Sequence, residues 1–247
     1  MSEIEEHLAA VRAVIGAACA RAMRDPDSVR LVAVSKRKPA AAVLAAFDAG
    51  VRHFGENRVE ELQEKRAAVM TGLQARDAVD ALHWHMIGHI QSRKARHVPH
   101  LADMVESVDS VAIAERLSRQ VVEHGQAPLP VLVQVNVSGE ETKGGLEASG
   151  WQNAAAVRDG VLDQMRTILA LPGLAVRGLM TMAPYVDDAE LVRPVFVELR
   201  TLRDAMQAAL AVDLPELSMG MTNDYAVAIE EGATIVRIGR AIFGERD

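Results

Sequence analysis

Lys36 closes an apolar run, Ala33-Val34-Ser35-Lys36. A lysine at the end of a buried strand can be partly desolvated. That lowers its pKa and frees a neutral amine to attack a carbonyl. Arg37 and Lys38 follow it, so this segment taken alone reads more simply as a solvated lysine in a basic turn. Two later segments carry anion chemistry. Leu217-Ser218-Met219-Gly220-Met221-Thr222-Asn223-Asp224 and Ile235-Val236-Arg237-Ile238-Gly239-Arg240 both pass from apolar residues into glycine and polar groups. Gly220 and Gly239 would let an anion approach the backbone, and Thr222 offers a hydroxyl. Arg237 lies inside a strand pattern and, if buried, needs an acceptor. Two Gly-containing turns with no ligand are the plainer alternative.

Other segments are open to two readings. Phe54-Gly55-Glu56-Asn57 places glycine in a strand, which suggests a close approach by some other group. Asn57 is then either a site residue or the N-cap of the next helix. His83, His85 and His89 share a strand face and invite a metal, but their spacing matches no zinc motif, so polar strand and loop residues are preferred. Residues 138–145 form a polar loop with glycines at both ends, suited to a lid or to an ordinary exposed loop.

These residues need elements to position them. Residues 3–23 show Ile4, Leu8, Val11 and Ile15 at helical spacing. Strands are expected at Leu31–Lys36, His53–Glu56, His83–Gly88, Met104–Ser107, Pro130–Val137, Val176–Met182, Glu216–Gly220 and Thr234–Ile238. Helical patterns lie between them, among them Pro39–Ala49, Ala112–Glu123, Ala189–Leu210 and Asp224–Glu231. Pro39 suits a first helical turn and Gly50 a helix stop. This alternation predicts an α/β chain, a single (β/α)8 TIM barrel over residues 1–247 with an additional N-terminal helix. The competing doubly wound sheet usually has a Gly-rich turn after its first strand. Here that turn is Ser35-Lys36-Arg37-Lys38-Pro39.

In such a barrel the site lies at the C-terminal strand ends, and phosphate commonly binds at the last two loops. The first and last strands adjoin when the barrel closes. An imine-forming lysine would then face a phosphate cradle. Pyridoxal 5′-phosphate (PLP), with its aldehyde and its phosphate, fits both.

Composition narrows the classes. The 247 residues are 49% hydrophobic and only 3% aromatic, which suits aliphatic helices on a parallel sheet. A formal net charge of -7 argues against nucleic-acid binding. The single cysteine, Cys19, excludes an internal disulfide. No signal-peptide or membrane-span pattern occurs, so a cytoplasmic monomer without membrane contact is expected.

The segments AVSKRKP (33–39), FGENRVEE (54–61), WHMIGHIQSRK (84–94), VNVSGEETKGG (135–145), RGLMTM (177–182) and LSMGMTNDYAVAIEEGATIVRIGRAIFG (217–244) occur in order along the chain. Together they resemble the PLP homeostasis protein family, which shares the barrel of the alanine racemase N-terminal domain. The resemblance implies that Lys36 forms the internal aldimine, and that Thr222 with the backbone of Gly239 and Arg240 holds the phosphate. It implies that Arg237 faces the pyridine nitrogen and that Asn57 lines the cofactor. Met182, Ser218 and Met221, from the matching segments, complete the expected cofactor contacts. Arg58, Arg93, Ile90, Thr222 and Ala233 depart from the residues usual in relatives; Thr222 keeps the hydroxyl of the common serine.

The resemblance implies a carrier that holds PLP and supplies apo-enzymes, without catalysis of its own. A PLP-dependent racemase is the alternative. It needs a second acid/base, supplied in alanine racemases by a tyrosine of a further domain that is not expected after Asp247. A barrel enzyme using Lys36 on a phosphorylated sugar is a third reading.

Overall fold

A computed structural model describes residues 2–76, 78–140 and 143–244. It opens with helix α1 (Glu3–Arg21), whose start is set by a capping box. The Ser2 hydroxyl accepts from the Glu5 N–H, and the Glu5 carboxylate accepts from the Ser2 N–H. Leu8, Val11 and Ile15 are buried, as their spacing requires. α1 packs against the last helices of the chain.

Strands and helices then alternate: β1 (Arg30–Val34), α2 (Ala40–Asp48), β2 (His53–Glu56), α3 (Val59–Gln74), β3 (His83–Met86), β4 (Met104–Val108) and α4 (Val111–Glu123). The second half runs β5 (Leu129–Asn136), β6 (Leu146–Glu147), α5 (Ala155–Leu169), β7 (Leu174–Met180), α6 (Arg193–Leu210), β8 (Glu216–Ser218), α7 (Tyr225–Glu230), β9 (Ile235–Ile238) and α8 (Arg240–Phe243). The order β4-β3-β2-β1-β9-β8-β7-β5, with β4 pairing to β5, is a closed ring of parallel strands. These are the eight strands expected from the sequence. β6 pairs only with β5 and stands outside the ring. Two residues are too few to show a strand pattern, so this segment reads as loop in the sequence.

Alternation along the strands makes two apolar layers. Phe54, Leu62, Leu117 and Phe196 belong to the larger one, between strands and helices. Val32, Met104, Leu132, Met180 and Ile235 form a separate cluster inside the ring. The barrel is thus filled below its mouth.

Several boundaries differ from expectation, for local reasons. β1 stops at Val34, because Ser35–Lys38 form a turn closed by the Lys38 N–H donating to the Ser35 carbonyl at 2.9 Å. Pro39 is the N-cap of α2, outside its first turn, with extended backbone (ψ 159°). The N-cap of α3 is Arg58, so Asn57 does not cap that helix. Residues Ala189–Val192 are a 3-10 turn ahead of α6. Gly50, at φ +90°, ends α2 as expected.

Candidate functional site

The C-terminal ends of the strands surround a cavity of about 420 Å³. Lys36, Asn57, Met182, Met221, Thr222, Arg237, Gly239 and Arg240 all line it. One expected contact, Ser218, does not. It is fully buried beneath the floor. Ile87, Pro184, Tyr185, Asn223 and Phe243 also line the cavity and were not singled out in the sequence. Ile87, Pro184, Tyr185 and Asn223 follow strand ends whose loop paths the sequence pattern does not specify, and Phe243 ends the short helix α8.

Lys36 owes its place to the turn after β1. Arg37 adopts a left-handed backbone, φ +61°. Helix α3 grips the turn on both sides of Lys36. Its Lys65 ammonium donates to the Ser35 carbonyl at 2.7 Å, and its Glu61 carboxylate accepts from the Arg37 N–H. Lys65 also pairs with Glu61 at 2.9 Å and with Glu56, which in turn accepts from the Ser35 hydroxyl at 2.6 Å. Glu56, which as the last residue of β2 would be expected at the barrel mouth, therefore lies behind the strand. Burial pushes its carboxyl up, against the opposing pull of Lys65 and Ser35.

Asn57 is fixed by contact with the third unit. A Cβ on Gly88 would stand 2.2 Å from the Asn57 carbonyl oxygen, so only glycine lets the two strand ends approach this closely. Gly55 faces Ile87 and Val32 in the same way: its expected close neighbour is the protein itself.

The Thr222 side of the cavity is braced from below. The Asp224 carboxylate accepts from the Met221 N–H at 2.6 Å, which holds the Met221–Asn223 loop. The Asn223 side-chain oxygen accepts from Arg240 at 2.6 Å, joining this loop to the one after β9. Gly220 and Gly239 are demanded by packing. A Cβ at Gly220 would meet Ala228 at 2.6 Å and Tyr225 Cα at 2.9 Å, and one at Gly239 would meet the Val34 carbonyl at 3.0 Å. Gly220 thus lets its loop pack onto α7, and Gly239 lets the last loop pack against the end of β1.

Arg237 forms part of the floor. Its guanidinium donates to the Thr181 carbonyl at 2.8 Å and to the Ser218 hydroxyl. Burial lowers its pKa, while Glu106 and Asp224 act in the opposite sense. The three histidines do not converge. His85 is buried and bonded to Glu106, His83 is exposed, and His89 pairs with Asp109 at the surface. Among the described residues no group of three or more His, Cys, Asp or Glu could hold a metal ion.

The loop after β5 is tied down where it is described. Asn136 accepts from the Ser138 hydroxyl and the Gly139 N–H, each at 3.1 Å, and Gln134 donates to the Gly144 carbonyl at 2.6 Å. Glu141 and Thr142, the middle of the expected lid, lie outside the described residues. No described helix is long and apolar enough to cross a membrane.

Residues 7–247 match the family model described as alanine racemase, N-terminal domain. The chain is 43% identical over 247 residues to the pyridoxal phosphate homeostasis protein of Pseudomonas aeruginosa, covering 100% of this chain and 97% of that one. It is 39% identical over 241 residues to the Aquifex aeolicus protein of the same name, covering 98% and 97%. The solved structure of PipY from Synechococcus elongatus with PLP bound is 36% identical. It superposes with a TM-score of 0.78, over 98% of this chain and 100% of that one. With its closed parallel barrel and near full-length likeness to these relatives, the chain belongs to the pyridoxal phosphate homeostasis protein family.

Proposed function

We propose that this protein binds PLP at the barrel mouth, with Lys36 as its covalent anchor, and serves as a carrier in PLP homeostasis. One observation carries the reading: a single cavity is lined by Lys36 from the β1 turn, by Thr222 and Arg240 from the last two loops, and by Arg237 in its floor. That donor set matches the ligand. PLP supplies an aldehyde able to bond a lysine amine, and a phosphate that takes hydroxyl and cationic donors.

The chain's own residues would divide the work. The grip of α3 on the turn keeps the Lys36 amine at the cavity wall. Thr222, with the backbone of Gly239 and Arg240, would hold the phosphate. Arg237 has no acceptor of its own, so it would offer only a donor to a ring nitrogen and keep that nitrogen unprotonated. Asn57, Met182 and Met221 would line the ring.

Non-catalytic carriage is favoured over racemisation. A two-base racemase needs a second acid/base fixed on the far face of the ring. Tyr185, the tyrosine that lines the cavity, is 77% exposed at the rim. The relatives at 39% and 43% identity are named for homeostasis. The same reading makes the whole chain one PLP-binding barrel, a cytoplasmic monomer that hands PLP to apo-enzymes. The large exposed apolar side chains, Val14, Met23, Val122, Tyr185 and Leu191, are scattered over several elements, in keeping with that state.

The test is an absorbance spectrum of the protein with PLP, before and after borohydride reduction, with mass mapping of the labelled peptide. A band at the violet edge of the visible, fixed by reduction onto Lys36, is expected. The loaded protein should restore a PLP-dependent apo-enzyme and leave the chirality of free amino acids unchanged. A protein that stays colourless with PLP overturns the binding. Sustained racemisation overturns the carrier role.

A further inference from the structure

Below the cavity floor, a chain of buried polar groups crosses the barrel from β9 to β2. Glu106 of β4 stands at its centre, with no exposed surface, among strands that carry apolar clusters on both faces. Both of its carboxylate oxygens are used. Oε1 lies 2.6 Å from Nδ1 of His85 on β3, and Oε2 accepts from the Ser218 hydroxyl of β8 at 2.6 Å. Arg237 Nη1 stands 3.8 Å from Oε2 and donates to Ser218.

Donor and acceptor counting orients the chain. A guanidinium only donates, so the Ser218 oxygen accepts from Arg237, and its single proton goes to Glu106. A carboxylate only accepts, so His85 donates through Nδ1. Its Nε2 lies 3.0 Å from Nδ1 of His53 on β2, and the two nitrogens share one proton between them. His53 stacks on His83 at a centroid distance of 4.9 Å, toward the opposite end of the barrel. This places His85 in a hydrogen-bonded chain and His83 in a ring stack at its end.

The sequence places a positive charge in the floor and a negative charge beneath it, bridged by one hydroxyl. A buried cation without a counter-charge is costly, and a guanidinium with free torsions would not keep one face toward a ligand. We propose that Glu106 is a positioning residue of this site: through Ser218 it keeps the Arg237 guanidinium charged and turned toward the cavity, and His85 and His53 lock Glu106 in turn. The charged or titratable groups that face this pair are His85 on β3, Asp224 before α7 and, behind His85, His53 on β2; Lys36 lines the same cavity as Arg237. This inference rests on PLP occupying the cavity.

The test compares wild type, Glu106→Gln, Arg237→Gln and the double variant, each loaded with PLP. The reading is the pH midpoint of the visible absorbance band. Glu106→Gln should move the midpoint by about 1 pH unit, the size expected when a charge near a titrating group is displaced. In the Arg237→Gln background the same change should move it far less. Ser218→Ala, which leaves both charges in place, should shift the midpoint in the same sense as Glu106→Gln. Thermal unfolding of the four PLP-free proteins should also show non-additive losses, since either single variant strands a buried partner. Equal shifts in both backgrounds, or no shift in either, overturn the positioning role. A wild-type protein that forms no band overturns the PLP reading itself. Additive unfolding losses would show that the two residues are not coupled.

Discussion

Lys65 on α3 donates its ammonium to the carbonyl oxygen of Ser35 at 2.7 Å, one residue before Lys36. The contact is buried and charged, and it ties a helix behind the sheet to the turn that presents the anchoring lysine. Glu61, four residues earlier on the same helix, accepts from Arg37 on the other side. The position of Lys36 is therefore set largely from behind the barrel wall.

Replacing Lys65 with Met should remove the tie and leave Glu56 buried without its cation. The loss expected for breaking a buried pair is about 3–5 kcal/mol of stability. Urea unfolding of the PLP-free protein measures it. A loss under about 1 kcal/mol would place the pair in the class of exposed ion pairs and deny it this role.

Lys36→Ala should abolish the violet absorbance band formed with PLP, while weaker, phosphate-anchored binding remains visible by equilibrium dialysis. Retention of the same band would move the anchor to another lysine.

Thr222→Val removes a hydroxyl from the proposed phosphate contacts and keeps the side chain's shape. A hydrogen bond to a charged group contributes about 1.5–3 kcal/mol, so PLP affinity should fall by about 10- to 100-fold. The folded protein should keep its melting temperature, because Asp224 still holds the loop through the Met221 N–H. Unchanged affinity with unchanged stability would take Thr222 out of the phosphate site.

Burial pushes the His53 imidazole down to about 3, with His85 and Arg30 adding to the effect. An ordinary histidine takes up its proton near 6.5. Between these values the unfolded chain binds a proton that the folded protein does not. Stability should therefore fall as pH drops below about 6.5, and the loss should continue toward about 3. His53→Gln should flatten the slope of unfolding free energy against pH in that window. The change is at most about 1.4 kcal/mol per pH unit, and smaller here because solvent screens a partly exposed ring. An unaltered slope would mean that His53 does not contribute to acid sensitivity.

Much of the site was legible in the chain. Lys36 and Arg237 sit where strand patterns end or nearly end, and a barrel sends such residues to one mouth. Eight of the nine expected contacts line one cavity. Ser218 shows the limit. It comes three residues before Met221, the first residue of its unit to line the cavity, and alternation alone does not say how deep the floor lies. Gly220 and Gly239 show another. Glycine in a loop is compatible with a ligand's approach or with the protein's own, and here the nearest atoms belong to Ala228, Tyr225 and Val34. Glu106 carried no signal at all, because a single acidic residue in a strand has no period or motif to mark it.

The sequence by itself determined the alternation of strands and helices and the residue types at the strand ends. Those follow from local periodicity and covalent order, which need no knowledge of distant neighbours. Only the tertiary structure decided which polar groups meet. Glu106 and Ser218 are 112 residues apart and bond at 2.6 Å. Such pairings depend on the closure of the ring, which brings β4 opposite β8 and β9, and on which side of each strand faces inward.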